Sequence, residues 1–224
     1  MALNKHYIIT ATFAGLLVAS PLIWENAQAE KDAAGSQSKA TKFSGDPNKP
    51  RRHFRVRDIA EMSAGERQAG YMQIRKQLQA GYAISGNSAA KEYQKWSLVN
   101  TAPYRSSTHG QRFINNYVNN KASAYRNFEA SGPLPIGAII AKDSFVATTD
   151  GEVSPGPLFL MEKMAKGFNY VSGDWRYSMI MPDGSVFGIT KGVNAERVDF
   201  CIGCHLAREK FDHLFYVPNE YRVQ

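Results

Sequence analysis

Cys201-Ile202-Gly203-Cys204-His205 constrains this chain more than any other stretch, because it holds both cysteines of the sequence and sets a histidine directly behind the second. Two thiols three positions apart, followed at once by histidine, is the arrangement that attaches a c-type haem. The thiols add across the two vinyl groups, and the histidine lies beneath the iron as its proximal ligand. The expected fold must therefore house one covalent haem c, with Cys201 and Cys204 as attachment points and His205 as iron ligand. Other chemistries use the same residue types. A redox-active dithiol usually opens a helix after a strand in a βαβ unit, and no such unit is legible here. A zinc site could recruit His205 and His213 beside the two thiolates, but the five histidines would complete its geometry only by coincidence. A plain structural disulfide is the third alternative.

The N-terminus points to an oxidising compartment that suits haem attachment. Lys5 precedes an apolar run from Ile8 to Val18, and Ala27-Gln28-Ala29 offers a small-x-small cleavage site, so residues 1–29 read as a secretory signal peptide and the mature protein as periplasmic. The run Ile8 to Trp24 is nearly long enough to serve as an uncleaved anchor, but Pro21 and the small residues favour cleavage, leaving no stable membrane span. Residues 30–53 are rich in Lys, Ser, Gly, Ala, Asp and Pro and read as a flexible leader. Residues 54–224 are then one haem-binding domain, and a chain of 224 residues with 43% hydrophobic content can supply its core. The net charge of +7 is scattered along the sequence, which argues against a nucleic-acid surface.

Within the domain the periodicity changes once. Ser63-Ala64-Gly65-Glu66 is a capping box, and Tyr71, Ile74, Leu78 and Tyr82 follow at helical spacing, predicting a helix from about Ala64 to Ala80 with Gly81 near its end. Asn87 or Ser88 caps a second helix, with Ala89, Tyr93, Trp96 and Val99 on one face until Pro103. Ile114, Val118, Ala122 and Tyr125 predict a third from about Thr108, with the asparagines at 115, 116, 119 and 120 on a solvated face. Residues 57–130 are thus expected to be helical. Beyond Gly132, Gly137 to Val146 and Pro157 to Met164 read as strands, Pro182-Asp183-Gly184 turns Trp175–Met181 back into Ser185–Ile189, and His213 to Val217 could add a last strand. Helices first and then an antiparallel sheet over 133–217 is an α+β pattern.

The position of the motif bears on the iron's second axial ligand. No methionine follows His205, so a sixth ligand must come from upstream, where His109, Met161, Met164, Met179 and Met181 stand. The methionines lie in apolar strands and read most simply as core. The reading is a five-coordinate iron with an open face; the alternative is a low-spin electron-transfer cytochrome c with an upstream Met or His as sixth ligand.

Four stretches together resemble the cytochrome P-460 and cytochrome c-prime-beta family: Asn100-Thr101-Ala102-Pro103-Tyr104-Arg105, Pro133-Leu134-Pro135-Ile136-Gly137-Ala138-Ile139-Ile140-Ala141-Lys142, Gly173-Asp174-Trp175-Arg176-Tyr177, and the haem motif followed by Asp212 to Val217. The resemblance implies a periplasmic homodimer in which an antiparallel sheet shelters the haem. It implies binding of nitric oxide or oxidation of hydroxylamine, with electrons passing to a soluble redox partner. It also implies that Lys142, ending a Gly-x-Ile-x-x-Lys strand, is the residue that crosslinks to the haem in the oxidising branch. A distal carboxylate is expected in such enzymes, with Asp143, Glu152 and Glu162 the acidic residues of the strand region. Phe145, Phe159, Phe187, Glu162, Met164 and His109 are the candidates for the distal side.

Overall fold

The computed structural model describes Val56 and residues 58–223, so the expected signal peptide 1–29 and the expected leader 30–53 lie outside the described residues. Helix α1 (Ala64–Ala83) starts where its capping box predicts. The Glu66 N–H donates to Ser63 Oγ, and the Ser63 N–H donates back to the Glu66 carboxylate at 2.7 Å. Tyr71, Ile74, Leu78 and Tyr82 form its buried face. Gly81 does not end the helix. A Cβ there would lie 2.1 Å from the Pro182 carbonyl oxygen, so glycine is what lets α1 rest on that turn.

Helix α2 (Ser88–Glu92) is capped by Asn87, whose side chain accepts from the Ala90 N–H at 3.1 Å. It tightens into a 3₁₀ turn over Tyr93–Lys95 and stops there, short of the expected end at Pro103. Trp96 and Val99 are therefore not on a helix, and the short strand β1 (Ser97–Leu98) follows.

The expected third helix is overturned. Tyr104–Ser106 is strand β2, Arg112–Val118 is the wholly buried strand β3, and only Asn120–Ala130 is helical, as 3₁₀ turns. Ile114, Val118, Ala122 and Tyr125 do share one core, but from two elements in succession, which mimics a single helical face. The region 57–130 is thus mixed rather than helical.

Strands β4 (Ile139–Ala147), β6 (Leu158–Lys163), β7 (Trp175–Ile180) and β8 (Val186–Ile189) fall close to their predicted ranges, and β5 (Val153–Pro155) is an added short strand. The described residues form one eight-stranded antiparallel sheet in the order β1-β3-β4-β6-β7-β8, with β2 also on β3 and β5 on β4. The fold is α+β. His213 to Val217 adds no strand: Leu214 to Pro218 is irregular, although Leu214 and Val217 are fully buried.

Strand alternation divides the core in two. Ala141, Phe145, Leu158, Leu160 and Ile180 face α1 and α2. Ile140, Phe159, Met161, Trp175, Tyr177 and Met179 face the other way, toward the helix that carries the haem motif.

Of the four asparagines expected in solvent, Asn120 is exposed and Asn119 half-buried, whereas Asn115 and Asn116 are buried wiring between these layers. Asn115 donates to Asp143 Oδ1 at 3.2 Å, and Asn100 donates to Asn115 Oδ1 at 2.9 Å. Asn100 Oδ1 accepts from the Asn116 backbone N–H at 2.7 Å, and Asn116 in turn donates to the Tyr125 hydroxyl at 3.2 Å. Asp143 also accepts from Tyr71 at 2.7 Å and Tyr93 at 3.1 Å. Burial nevertheless pushes its carboxyl up to about 6. A carboxyl raised from 3.8 to about 6 stabilises the fold fully below the unfolded value and loses that contribution as pH rises through 6. Asp143→Asn is expected to remove about 2 kcal/mol of stability loss between pH 4 and 7. Urea unfolding of both proteins at the two pH values checks this, and parallel pH profiles would contradict it.

Candidate functional site

Helix α3 (Asp199–Leu206) places Cys201 and His205 one turn apart on its buried side, while Cys204 is exposed. The imidazole of His205 is held from three directions. Its Nδ1 lies 2.7 Å from the His213 carbonyl oxygen, the Phe215 ring meets it edge-on at 5.2 Å, and Tyr177 packs 5.1 Å away. A carbonyl only accepts, so Nδ1 carries the proton and the lone pair belongs to Nε2.

The segment supplying that carbonyl is anchored by the Leu-Pro and Gly-Asp-Trp stretches. Asp212 Oδ2 accepts from the Leu134 N–H at 2.9 Å, and Asp212 Oδ1 pairs with Lys163 Nζ at 2.5 Å. The indole of Trp175 donates to the Asp212 carbonyl at 2.8 Å.

Beside α3 opens a partly enclosed cleft. His205, Cys201 and Cys204 line it together with Lys142, His109, Thr108, Ile140, Phe159, Met161, Tyr177 and Phe215. The walls are predominantly apolar, and the Tyr177 hydroxyl is buried without a hydrogen-bond partner among the described residues. An orphaned buried hydroxyl in an apolar cleft suits a bound group that supplies the missing partner. Two thiols and an imidazole with Nε2 as the lone-pair nitrogen are the donor set a haem needs, so the residues present fit it.

Lys142 is not at a strand end as expected. β4 continues to Ala147, and the lysine sits mid-strand, 6% exposed, opposite Asn116 on β3 and Phe159 on β6. Among the described residues no ion pair or hydrogen bond reaches its ammonium, and burial alone brings it down to about 8. His109 does not open a helix. It lies in the β2–β3 hairpin turn with Nδ1 2.8 Å from Ser106 Oγ, and its ring is edge-on to Phe159 at 4.9 Å.

The remaining distal candidates are placed elsewhere. Phe145 faces α1, packed against Tyr71 and Phe113 at 6.0 and 5.4 Å. Glu162 is paired with Arg176, its register partner on β7, and lies outside the cleft lining. Met164 follows β6, its N–H donating to the Asp174 carbonyl, and is likewise not in the lining. Asp143 faces the helices, and Glu152 lies in the turn before β5. Among the described residues no carboxylate lines the cleft, so the expected distal carboxylate is absent from it. The strand period alone separates Asp143 and Phe145 from Lys142, since odd and even positions of β4 face opposite ways.

Sequence reasoning missed Thr108 and Phe215 as lining residues and the His213 carbonyl as partner of His205. A backbone carbonyl leaves no trace in residue identity. Tyr177 is legible as a core position that alternates with Trp175 and Met179 on its strand, but that alternation does not say that it lines a cleft.

The competing chemistries fit less well. Burial pushes the Cys201 thiol up to about 12, the reverse of an activated dithiol. His213 turns its ring onto Gly173 rather than toward the thiols, and among the described residues no group of His, Cys, Asp and Glu is arranged to hold a metal ion by itself.

A search of the curated proteins finds no match to the chain. The sequence profile of cytochrome P460 matches residues 90–216, which runs from α2 through the whole sheet and α3 to the segment beneath His205. With more than half its length matched and a cleft of the right donor set within the matched region, the chain belongs to the cytochrome P460 family, whose cofactor is haem.

Proposed function

We propose that the chain carries one haem through thioether bonds to Cys201 and Cys204, with His205 as proximal ligand. The cleft beside Lys142 and His109 then receives a small nitrogen ligand, hydroxylamine or nitric oxide. The observation that carries this reading is His205 Nδ1 set 2.7 Å from the His213 carbonyl oxygen while its ring lines one cleft with both thiols and a buried lysine. Such a hydrogen bond fixes the tautomer and makes the ligating nitrogen more basic. Haem iron, when bound, supplies ligand binding and one-electron chemistry.

The chain's own residues do the rest. Ile140, Phe159, Met161 and Phe215 exclude water. Removing protons from hydroxylamine needs an acceptor, and Lys142 Nζ and the His109 imidazole are the bases in the lining. With its pKa near 8, Lys142 is a free amine in about one molecule in ten at pH 7. The same proposal makes the mature protein periplasmic, since haem of this type is attached after translocation, and, on the family resemblance, a homodimer that passes electrons to a soluble partner.

Lys142 also belongs to the proposal as the residue that would bond to the haem, because its amine is buried, partly neutral and, among the described residues, unpaired, a nucleophile without a structural use. The bond would replace a Lys142 N–H and a haem C–H, with the two electrons and two protons passing to a peroxide oxidant. The expected result, after expression with a haem-maturation system and exposure to peroxide as oxidant, is an intact mass reduced by the hydrogens lost in that bond and a denatured-state spectrum unlike ordinary haem c. Lys142→Met should restore both to ordinary values. An unmodified lysine would place the protein among the ligand-binding members.

One observation favours a second reading, in which the protein is a low-spin electron carrier: His109 and Met161 both line the cleft. The ferric spectrum separates the two. A high-spin spectrum that shifts on adding hydroxylamine or nitric oxide supports the first, and a ligand-insensitive low-spin spectrum supports the second.

A further inference from the structure

We propose that Asp212 is a positioning residue for His205: clamped by Lys163, Leu134 and Trp175, it holds the His213 carbonyl against His205 Nδ1 and thereby sets how strongly that imidazole donates to iron. This rests on the haem reading above and adds the element that tunes it.

The backbone that delivers the carbonyl is not one the chain adopts freely. Residues 214–218 are irregular, so no ladder holds them in register. Asp212 and His213 both take left-handed conformations, with φ of 53° and 61°, which non-glycine residues adopt only when their surroundings over-determine it. The surroundings do so. Both carboxylate oxygens of Asp212 and its carbonyl oxygen are engaged, by Lys163, the Leu134 N–H and the Trp175 indole respectively. The side chains of the Lys163–Asp212 pair are 14% and 8% exposed, so salt screens it little. Lys163 also donates to the Gly173 carbonyl at 2.8 Å. Gly173 is where the His213 ring is seated, because a Cβ there would lie 2.4 Å from that ring. Three segments distant in sequence therefore converge on Asp212, and one residue later the chain presents its carbonyl to the proximal histidine at 2.7 Å.

The chemistry has a direction. A carbonyl held close to Nδ1–H gives the imidazole more anionic character, strengthens the bond at Nε2 and favours ferric iron. Loosening the carbonyl should weaken that bond and favour ferrous iron.

The test uses the full chain with haem attached and reads two quantities that mere destabilisation does not move: the midpoint potential and the iron–histidine stretching band of the ferrous protein. Asp212→Ala is expected to raise the potential, shifting the ferrous-to-ferric ratio about tenfold at fixed potential, or about 59 mV for a one-electron couple, and to lower the stretching frequency. Asp212→Asn tolerates the left-handed backbone and keeps an acceptor for Leu134, so it should shift both in the same direction by less. Trp175→Phe keeps a six-membered aromatic ring in the core and removes the indole donor, and it carries the test if Asp212→Ala does not fold. Arg176→Gln, which breaks the pair with Glu162, is the control and should change neither. Destabilised Asp212 variants with unchanged potential and band would show that the clamp only staples the C-terminal segment, overturning the proposal. A wild-type chain that takes up no covalent haem would instead overturn the functional reading on which it stands.

Discussion

Serine at both Cys201 and Cys204 is expected to abolish haem that stays with the polypeptide after denaturation, while the sheet remains folded. The physical grounds for the second half are as definite as those for the first. Cys204 is exposed, so serine there should change stability by about 0.5 kcal/mol or less. Cys201 is buried at 8% exposure, and a hydroxyl in its place costs about 1–3 kcal/mol, which a domain of this size absorbs. Loss of covalent haem can then be told from loss of fold by circular dichroism of the same sample. Each single serine variant should leave one thioether, visible as a shifted haem spectrum in the denatured state. His205→Ala should keep both thioethers and lose the proximal ligand, and added imidazole should restore its spectrum in part. A double serine variant that still held haem through denaturation would defeat the assignment of the two thiols.

Trp175→Ala is expected to have the largest effect on stability, lowering the unfolding free energy by about 4 kcal/mol. Trp175 is the largest fully buried side chain and is 0% exposed, at the start of β7 and against the segment beneath His205. Truncation removes a bicyclic ring from a close-packed core and leaves a cavity that the strand cannot close. It also removes the Nε1–H donor from the Asp212 carbonyl and the ring over which Lys163 Nζ sits at 5.0 Å. Urea unfolding measures the loss as a lower midpoint with unchanged slope. Trp175→Phe should recover most of it, because the six-membered ring fills much of the same space. A loss below about 1 kcal/mol in the alanine variant would mean that the site collapses around the truncation.

The legible and illegible parts of the chain divide along a physical line. α1 was readable because its capping box and its four apolar positions are local, set by hydrogen bonds within one turn and by a single period. β4, β6, β7 and β8 were readable because alternation and turn residues are local too. The segment Arg112–Val118 was not, because Ile114 and Val118 on a strand and Ala122 and Tyr125 on 3₁₀ turns line one core and imitate a helical face. The polarity of Asn115 and Asn116 reinforced that misreading, since nothing local announces that Asp143, Asn100 and Tyr125 wait to satisfy them. His213 to Val217 resembled a strand because it is apolar, whereas its task is to seat buried side chains and turn one carbonyl.

By itself the sequence pointed to haem through the spacing of Cys201, Cys204 and His205, and to the family through four stretches between Asn100 and Val217, because both signals are written in residue identity. It also determined that an antiparallel sheet would follow, since strand period is written residue by residue. Only the tertiary structure decided which side chains share the cleft. Lys142 and His109 are brought to it by strand pairing and by a hairpin turn, and Phe145, Glu162 and Asp143 are sent away by the parity of their positions. It likewise decided the orientation of His205, because the carbonyl that fixes its proton belongs to the backbone, and a backbone's direction is settled by distant anchors such as Leu134, Lys163 and Trp175.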